Sequence, residues 1–252
     1  MKRKLLATVF FLIALCPKPG YSAPSDKDTL KVLFVGNSYT YVQNIPQVVS
    51  ILSDSSDTKL VTRKSVVGGA RLSEHWHGNR GLNTKELIET GNFDIVVLQD
   101  QSMSTIEQPD SVLKYIALFC GLARKHGAKP YLYMTWAREK VPQYLHVIED
   151  VYTRAAKENN AVLVPVGKAW EKAKQIRPDI QLYVSDGSHQ SALGAYLSAC
   201  VFVAAILGEM PRQIPNYITI YDIEGESLVI MDIDRLDAEF CRKIASASVN
   251  QK

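Results

Sequence analysis

The stretch that decides the fold is Leu33-Phe34-Val35-Gly36-Asn37-Ser38-Tyr39-Thr40. An apolar and β-branched run over residues 31–35 ends abruptly at Gly36, and a helical pattern follows at 45–52. This order predicts a buried strand that stops at a tight turn, and in open α/β sheets ligands bind at the carboxyl ends of the strands. Glycine at position 36 removes steric bulk beside the hydroxyl group of Ser38. Ser38 is therefore either a nucleophile displayed at the end of the first strand or a helix N-cap, which is a common role of serine.

Strand-like and helix-like segments alternate along the rest of the chain. The predicted strands are 32–35, 60–67, 95–98, 130–134 and 161–166, and the predicted helices are 45–52, 84–90, 111–126, 143–159 and 191–207. Most strand segments are nearly continuous runs of Val, Ile, Leu or Tyr, as in strands buried on both faces, and 60–67 is a more polar exception. The alternation predicts an α/β protein with a parallel sheet covered by helices on both faces. Residues 222–229 are predicted to form a short hairpin or edge strand, and residues 234–246 a closing helix.

Residues 1–22 have the pattern of a cleaved signal peptide. Three basic residues at 2–4 precede an apolar core at 5–15, and small residues stand near the predicted cleavage point after position 22. The pattern predicts export, to the periplasm or the medium. Cys16 leaves a lipoprotein as the alternative. No later segment is long and apolar enough to cross a membrane.

Residues 23–252 are predicted to form a single catalytic domain, because no Pro/Gly/Ser-rich linker or repeat divides them. The net charge of the whole chain is only +3 and the basic residues are scattered, which argues against a nucleic-acid surface. Cys120, Cys200 and Cys241 stand in helical patterns outside any zinc-binding motif, so buried free thiols are expected.

Polar residues follow the predicted strands at the edge where such sheets bind ligands. The pair Gly68-Gly69 follows the second strand and brings backbone N–H groups toward the crevice. Gln99 and Gln101 follow the third strand, two positions apart, so in an extended chain their side chains point the same way. Trp136 and Arg138 follow the fourth strand, where they could contact a sugar ring and an anionic group. The alternative, which is favoured, is that Trp136 forms a core edge and Arg138 a solvated charge.

The pair Asp186 and His189 stands just before the last long helix. A turn with this three-residue spacing can bring the carboxylate onto the imidazole, and with the hydroxyl of Ser38 the two complete the set that acyl transfer requires. The chain order Ser, Asp, His occurs on α/β scaffolds. Asp186 could equally cap the helix, and the same spacing occurs at Glu74 and His77, so the spacing alone leaves both interpretations open.

A second histidine cluster follows the glycine pair. His75 and His77 could form a zinc pair with Glu74, or serve only to pack the loop. Without a nearby cysteine or a fourth candidate ligand, the packing role is favoured. We therefore expect neither a metal nor a cofactor.

Taken together, four blocks of this sequence resemble the SGNH (GDSL-type) hydrolase superfamily. The blocks are Gly36-Asn37-Ser38, Gly68-Gly69, residues 99–102, and Asp186 with His189. They occur in the same order and at similar spacing across nearly the whole mature chain. The residues of these motifs are most similar to those of a poorly characterised bacterial branch that resembles carbohydrate acetylesterases. The resemblance implies a flavodoxin-like three-layer α/β/α sandwich with about five parallel strands. It also implies a Ser38 nucleophile, assisted by His189 and Asp186.

Two departures from the family pattern affect the expected oxyanion hole. The usual Gly-Asp-Ser is Gly-Asn-Ser here, and the asparagine of the third block is replaced by glutamine. The resemblance then implies oxyanion donors from the backbone N–H groups of Ser38 and Gly69 and from the amide of Gln99, with Gln101 in reserve.

The expected function is that of an exported serine esterase that removes an acyl group, such as O-acetyl, from a carbohydrate or cell-envelope polymer. The partner is then a small-molecule or glycan ester. Two alternatives stay open: an O-acyltransferase with the same triad, and a glycan-binding protein on the same fold without turnover. The sequence predicts no oligomeric state.

Overall fold

The structure, a computed structural model, describes residues 28–249. The signal peptide predicted at 1–22, including Cys16, lies outside these residues and stays a prediction. The strands are β1 (Asp28–Gly36), β2 (Thr58–Val66), β3 (Ile95–Leu98), β4 (Lys129–Tyr133), β5 (Val162–Val164), β6 (Tyr217–Tyr221) and β7 (Ser227–Asp232). The helices are α1 (Ser38–Tyr41), α2 (Ile45–Leu52), α3 (Leu72–His77), α4 (Thr84–Thr90), α5 (Ser104–Glu107), α6 (Pro109–Lys125), α7 (Leu145–Glu158), α8 (Val166–Ile176), α9 (Ala192–Leu207) and α10 (Arg235–Val249).

The first five strands form one parallel sheet in the order β2-β1-β3-β4-β5. This is the flavodoxin-like order. The chain connections run outward in opposite senses from β1 and β3, and this switch point opens a crevice at the carboxyl ends of these two strands. Helices α2, α8, α9 and α10 pack together on one side, and α3, α4, α6 and α7 on the other. The predicted three-layer α/β/α sandwich is confirmed.

Strand β1 is central and is buried on both faces. Val32 and Phe34 belong to the core on one side of the sheet, and Leu33 and Val35 to the core on the other. All four side chains are at most 1 % exposed, which explains why the apolar run is continuous and does not alternate with polar residues.

Strand β2 is polar because it lies at the edge of the sheet. It pairs only with β1, and its outward residues Val61, Arg63 and Lys64 are exposed. The observed strand begins two residues earlier than predicted and ends one residue earlier. Its polarity therefore reflects position in the sheet.

Helix α9 is apolar on every side because it is surrounded by protein. Its residues 194–204 are all buried, against α2, α8 and α10. Within residues 28–249 the structure contains no helix with the combined length and apolarity of a membrane span. After α9 comes the antiparallel β6–β7 hairpin, and its turn lies inside the predicted segment 222–229.

The three cysteines of the described chain are buried free thiols, as predicted. Burial raises the pKa of Cys120 to about 12, which keeps this thiol protonated at neutral pH.

Candidate active site

Ser38 is the first residue of α1, directly after the strand. Its cap is the preceding residue: the Asn37 side chain accepts a hydrogen bond from the Tyr39 backbone N–H at 3.1 Å. The alternative in which Ser38 serves only as a cap therefore does not describe this turn, since Asn37 supplies the cap of α1. The hydroxyl group of Ser38 is half-buried and points to the last loop before α9.

Two consecutive hydrogen bonds join Ser38 to His189 and then to Asp186, about 150 positions later in the chain. The distance from His189 Nε2 to Ser38 Oγ is 2.8 Å, and that from His189 Nδ1 to Asp186 Oδ2 is 2.6 Å. Ser191, and not Asp186, caps α9 by accepting from the Gly194 N–H at 3.1 Å. The three residues selected from the sequence thus meet in the order hydroxyl, imidazole, carboxylate.

Asp186 is held in its ionised form by three donors. Its pKa is lowered to about 2, first by the hydrogen bond with the His189 ring and then by the backbone N–H groups of His189 and Ser188. These N–H groups lie 2.9 and 2.7 Å from Asp186 Oδ1. Near neutral pH the carboxylate can therefore accept from His189 Nδ1–H and leave Nε2 free to take a proton from Ser38.

Trp136 packs against the loop that carries Asp186 and His189, and neither face of its ring is open to a ligand. It is 1 % exposed and lies stacked between Tyr39 and Trp170, with centroid distances of 4.7 and 3.9 Å. Its Nε1–H donates to the Ser188 carbonyl at 3.0 Å. Of the two interpretations left open for Trp136, the structure shows the core edge and not the sugar contact, because both ring faces are covered.

Gln99 occupies a different place from the one that an oxyanion donor requires. It is fully buried, and its Oε1 accepts from the Asn37 N–H at 2.9 Å and from Thr40 Oγ1 at 3.0 Å. Its Nε2 donates to Asn37 Oδ1 at 3.1 Å and to the Asp100 carbonyl. Since both ends of the amide bind the turn that carries Ser38 and its own loop, Gln99 stabilises this turn, and the expected oxyanion role does not fit it.

Gln101 is the glutamine of the two whose amide nitrogen has spare donors. It is half-buried, and its Oε1 accepts from the Met103 N–H at 2.8 Å. Its Nε2 makes only a long 3.5 Å contact with Ser102 Oγ, so its two N–H donors retain capacity. The reserve candidate therefore fits better than the first choice.

The loop with Gly68 and Gly69 lies beside the turn that carries Ser38. Asn37 Nδ2 donates to the Ala70 carbonyl at 2.9 Å, and Arg80 Nη1 donates to the Gly68 carbonyl at 3.0 Å. Gly69 is exposed and has φ +68°, a backbone region that favours glycine.

Asp100 is a buried residue at the site that the sequence did not single out. Its carboxylate accepts from the Gln101 N–H at 2.7 Å and from the Leu72 N–H at 3.3 Å, which ties the β3 loop to the start of α3. Desolvation by burial raises the pKa of this carboxyl group. An acidic residue directly after a buried apolar strand is the signal that could have identified it.

Tyr39 and Gln190 were also missed, and both hold the two halves of the site together. Tyr39 Oη lies 2.8 Å from Ser188 Oγ, and Gln190 Nε2 donates to the Val42 carbonyl at 2.7 Å. Each directly follows a triad residue in the chain, which was the available signal.

His75 and His77 do not form a metal pair. His75 is fully buried with Nε2 2.9 Å from the Gly36 carbonyl and Nδ1 2.7 Å from Thr84 Oγ1, whereas His77 is exposed and lies 3.0 Å from Tyr115 Oη. Desolvation lowers the pKa of His75 to about 4, so the ring is neutral and donates from Nε2 to the carbonyl. Throughout 28–249, no cluster of three or more His, Cys, Asp or Glu side chains is arranged to hold a metal ion.

Solved structures share this fold. A candidate SGNH hydrolase from Slackia heliotrinireducens is 24 % identical, with a TM-score of 0.61 over 71 % of this chain and 100 % of its own. A DUF4886 family protein from Bacteroides uniformis is 19 % identical, with a TM-score of 0.71 over 89 % of this chain and 96 % of its own. An acetyl xylan esterase is 15 % identical, with a TM-score of 0.56 over 68 % of this chain and 96 % of its own. No family model matches the chain, and no curated protein matches it either.

These likenesses concern the fold, since every identity is below 25 %. The predicted resemblance to the SGNH hydrolases, including carbohydrate esterases, is confirmed at that level.

Proposed function

We propose that this chain is an exported serine esterase that hydrolyses an acyl ester of a carbohydrate, with Ser38 as nucleophile. The observation that carries the proposal is the connected set Ser38–His189–Asp186, with 2.8 and 2.6 Å between the bonded atoms. A protein that only bound glycans would have no need of all three groups in this arrangement.

The reaction begins when His189 Nε2 takes the proton from Ser38 Oγ as this oxygen attacks the ester carbonyl carbon. Collapse of the tetrahedral intermediate breaks the bond to the alcohol oxygen, which receives the proton from His189, and leaves an acyl-Ser38 ester. Water then repeats the cycle, releasing the acid and free Ser38. Asp186 stays ionised throughout and stabilises the imidazolium that forms in each half.

The negative charge on the carbonyl oxygen is stabilised by the backbone N–H groups of Ser38 and Gly69 and by the side-chain amide of Gln101. Loss of one such donor typically raises the barrier by roughly 3–4 kcal/mol. Gln101 replaces Gln99 in this role because its amide nitrogen is the one with spare donors.

The carbohydrate substrate and the export rest on other grounds. Structural neighbours include an acetyl xylan esterase and an acetyl-xylooligosaccharide esterase. Export rests on the leader pattern at 1–22. An O-acyltransferase is the second candidate, since the same acyl-enzyme forms and only the acceptor differs.

The test is burst release of 4-nitrophenol from 4-nitrophenyl acetate, with wild-type protein compared with Ser38→Ala. We expect a burst of about one equivalent per active site in wild type and none in Ser38→Ala. Ser227→Ala in the exposed hairpin makes the same chemical change elsewhere and should keep the burst. Unchanged hydrolysis in Ser38→Ala refutes the nucleophile. Adding a sugar as acyl acceptor then separates the esterase from the transferase, because a transferase moves the acetyl group to a sugar hydroxyl group in preference to water.

A further inference from the structure

Arg138 lies between the loop that carries Asp186 and His189 (residues 183–189, the triad loop) and the loop that follows β3. Residues 136, 137 and 139 are hydrogen-bonded to the triad loop, whereas the side chain of Arg138 extends the other way, to Ser102. The three hydrogen bonds to the triad loop join Trp136 Nε1 to the Ser188 carbonyl at 3.0 Å, Tyr183 Oη to the Ala137 carbonyl at 2.7 Å, and the Glu139 N–H to the Gly187 carbonyl at 2.8 Å. The guanidinium group is thus held at the rim between the triad loop and the residue next to Gln101.

The guanidinium group of Arg138 has no counter-ion among the described residues. Its Nε and Nη2 donate at 3.2 and 2.9 Å to Ser102 Oγ, which is a neutral hydroxyl group. None of the ion pairs among residues 28–249 includes Arg138. The other two arginines near the cleft are both paired: Arg71 with Glu107 at 3.3 Å and Arg80 with Glu74 at 2.9 Å.

Such a cation is suited to an anionic ligand. Arg138 is half-buried, so part of its hydration is lost without a carboxylate to compensate. A guanidinium group carries five N–H donors, and the Ser102 contact uses two of them, which leaves three for a ligand. The planar fork of arginine matches a carboxylate in a bidentate manner.

We propose that Arg138 binds a carboxylate group of the substrate and so selects acidic esters over neutral ones. The inference rests on the proposed esterase function, because it assigns the substrate class of that same site. A carboxylate is favoured over a phosphate because the nearby cations Arg71 and Arg80 are already neutralised, which leaves one guanidinium for a single negative charge. The carboxylate belongs either to the sugar, as in a uronic acid, or to the acyl chain, as in a dicarboxylic acid half-ester.

The experiment compares matched pairs that differ only by a methyl cap on the carboxylate. The sugar arm uses O-acetylated methyl galacturonoside and its uronate methyl ester. The acyl arm uses the mono-4-nitrophenyl ester of adipic acid and its methyl-capped diester. We expect kcat/KM of the wild-type protein to be about tenfold higher for the acid than for the capped compound in one arm, which identifies the source of the carboxylate.

Arg138→Gln removes the charge, and this ratio should fall to about one. Arg138→Lys keeps the charge without the fork and should give an intermediate ratio. Arg154→Gln removes the same charge from an exposed pair with Glu158 on α7 and should keep the wild-type ratio, which controls for the overall field of the protein. The proposal is overturned by equal rates for acid and capped compounds in both arms of wild type, or by a ratio that persists in Arg138→Gln.

Binding measured without turnover separates this proposal from the esterase assignment. In a Ser38→Ala background, calorimetry should show about tenfold tighter binding of the acid than of the capped compound in the same arm, and Arg138→Gln should remove the difference. Absence of hydrolysis in wild type with this binding difference intact contradicts only the esterase function. Equal binding of both compounds contradicts the role of Arg138.

Discussion

Buried His75 should make the protein lose stability in mild acid in a way that one substitution removes. In the folded state its pKa is about 4, whereas an unfolded chain has the ordinary value of 6.5. Between these values the unfolded state binds the proton and the folded state does not, so the stabilising effect is complete above pH 6.5 and is lost as the pH falls toward 4. At pH 4.5 the linkage amounts to about 2.5 kcal/mol, since one pKa unit corresponds to about 1.4 kcal/mol.

The perturbation is His75→Gln, which cannot titrate but carries an amide donor that can reach the Gly36 carbonyl as Nε2 does. Urea unfolding of both proteins at pH 7.5 and pH 4.5 gives four free energies of unfolding. Other titrating groups contribute equally to wild type and variant, so they cancel when the two pH-dependent losses are subtracted. Wild type should lose about 2.5 kcal/mol more than His75→Gln on acidification. Equal losses would refute the reasoning, because they would mean that His75 takes up its proton without unfolding.

The remaining predictions concern the site itself. Gln101→Ala should lower kcat about 10²–10³-fold at nearly unchanged stability. Gln99→Ala should chiefly lower the free energy of unfolding, by about 2–3 kcal/mol, because it leaves buried donors unpaired. Steady-state kinetics and urea unfolding of both variants show whether the two effects separate. Gly36→Ala should destabilise by about 1–3 kcal/mol, because the new methyl group would meet the buried amide of Gln99, and a thermal midpoint equal to that of wild type would contradict this close approach. Asp186→Asn should lower kcat by between about 10²-fold and 10⁴-fold. It should also reduce the loss of stability below pH 4. The lowered pKa of Asp186 stabilises the fold at pH values above the pKa of the unfolded chain, and this effect disappears as the pH falls toward 2.

The fold was predictable because its signal is local and repeated. Continuous apolar runs such as that of β1 can be satisfied only by burial on both faces, and their alternation with helical segments leaves the parallel sandwich as the solution. The polarity of β2 could not be interpreted in the same way, because the sequence does not say which strand lies at the edge.

The three residues of the candidate triad were predictable for a different reason. Ser38 follows a strand end and Asp186 and His189 share one turn, so each position is fixed by backbone next to it in the chain. Parallel strands bring their carboxyl ends to one rim, and therefore the sequence by itself determined the sheet, the rim and the candidate triad.

Only the tertiary structure decided which neighbours the other side chains find. Gln99 fills the space that Gly36 leaves on the adjacent strand, and for this reason we proposed Gln101 as the oxyanion donor. Trp136 is stacked between two other rings, and Arg138 pairs with no carboxylate among residues 28–249. Each outcome depends on contacts between segments far apart in the chain. The direction and pairing of a side chain at a strand end are set by these contacts, and no spacing along the sequence records them.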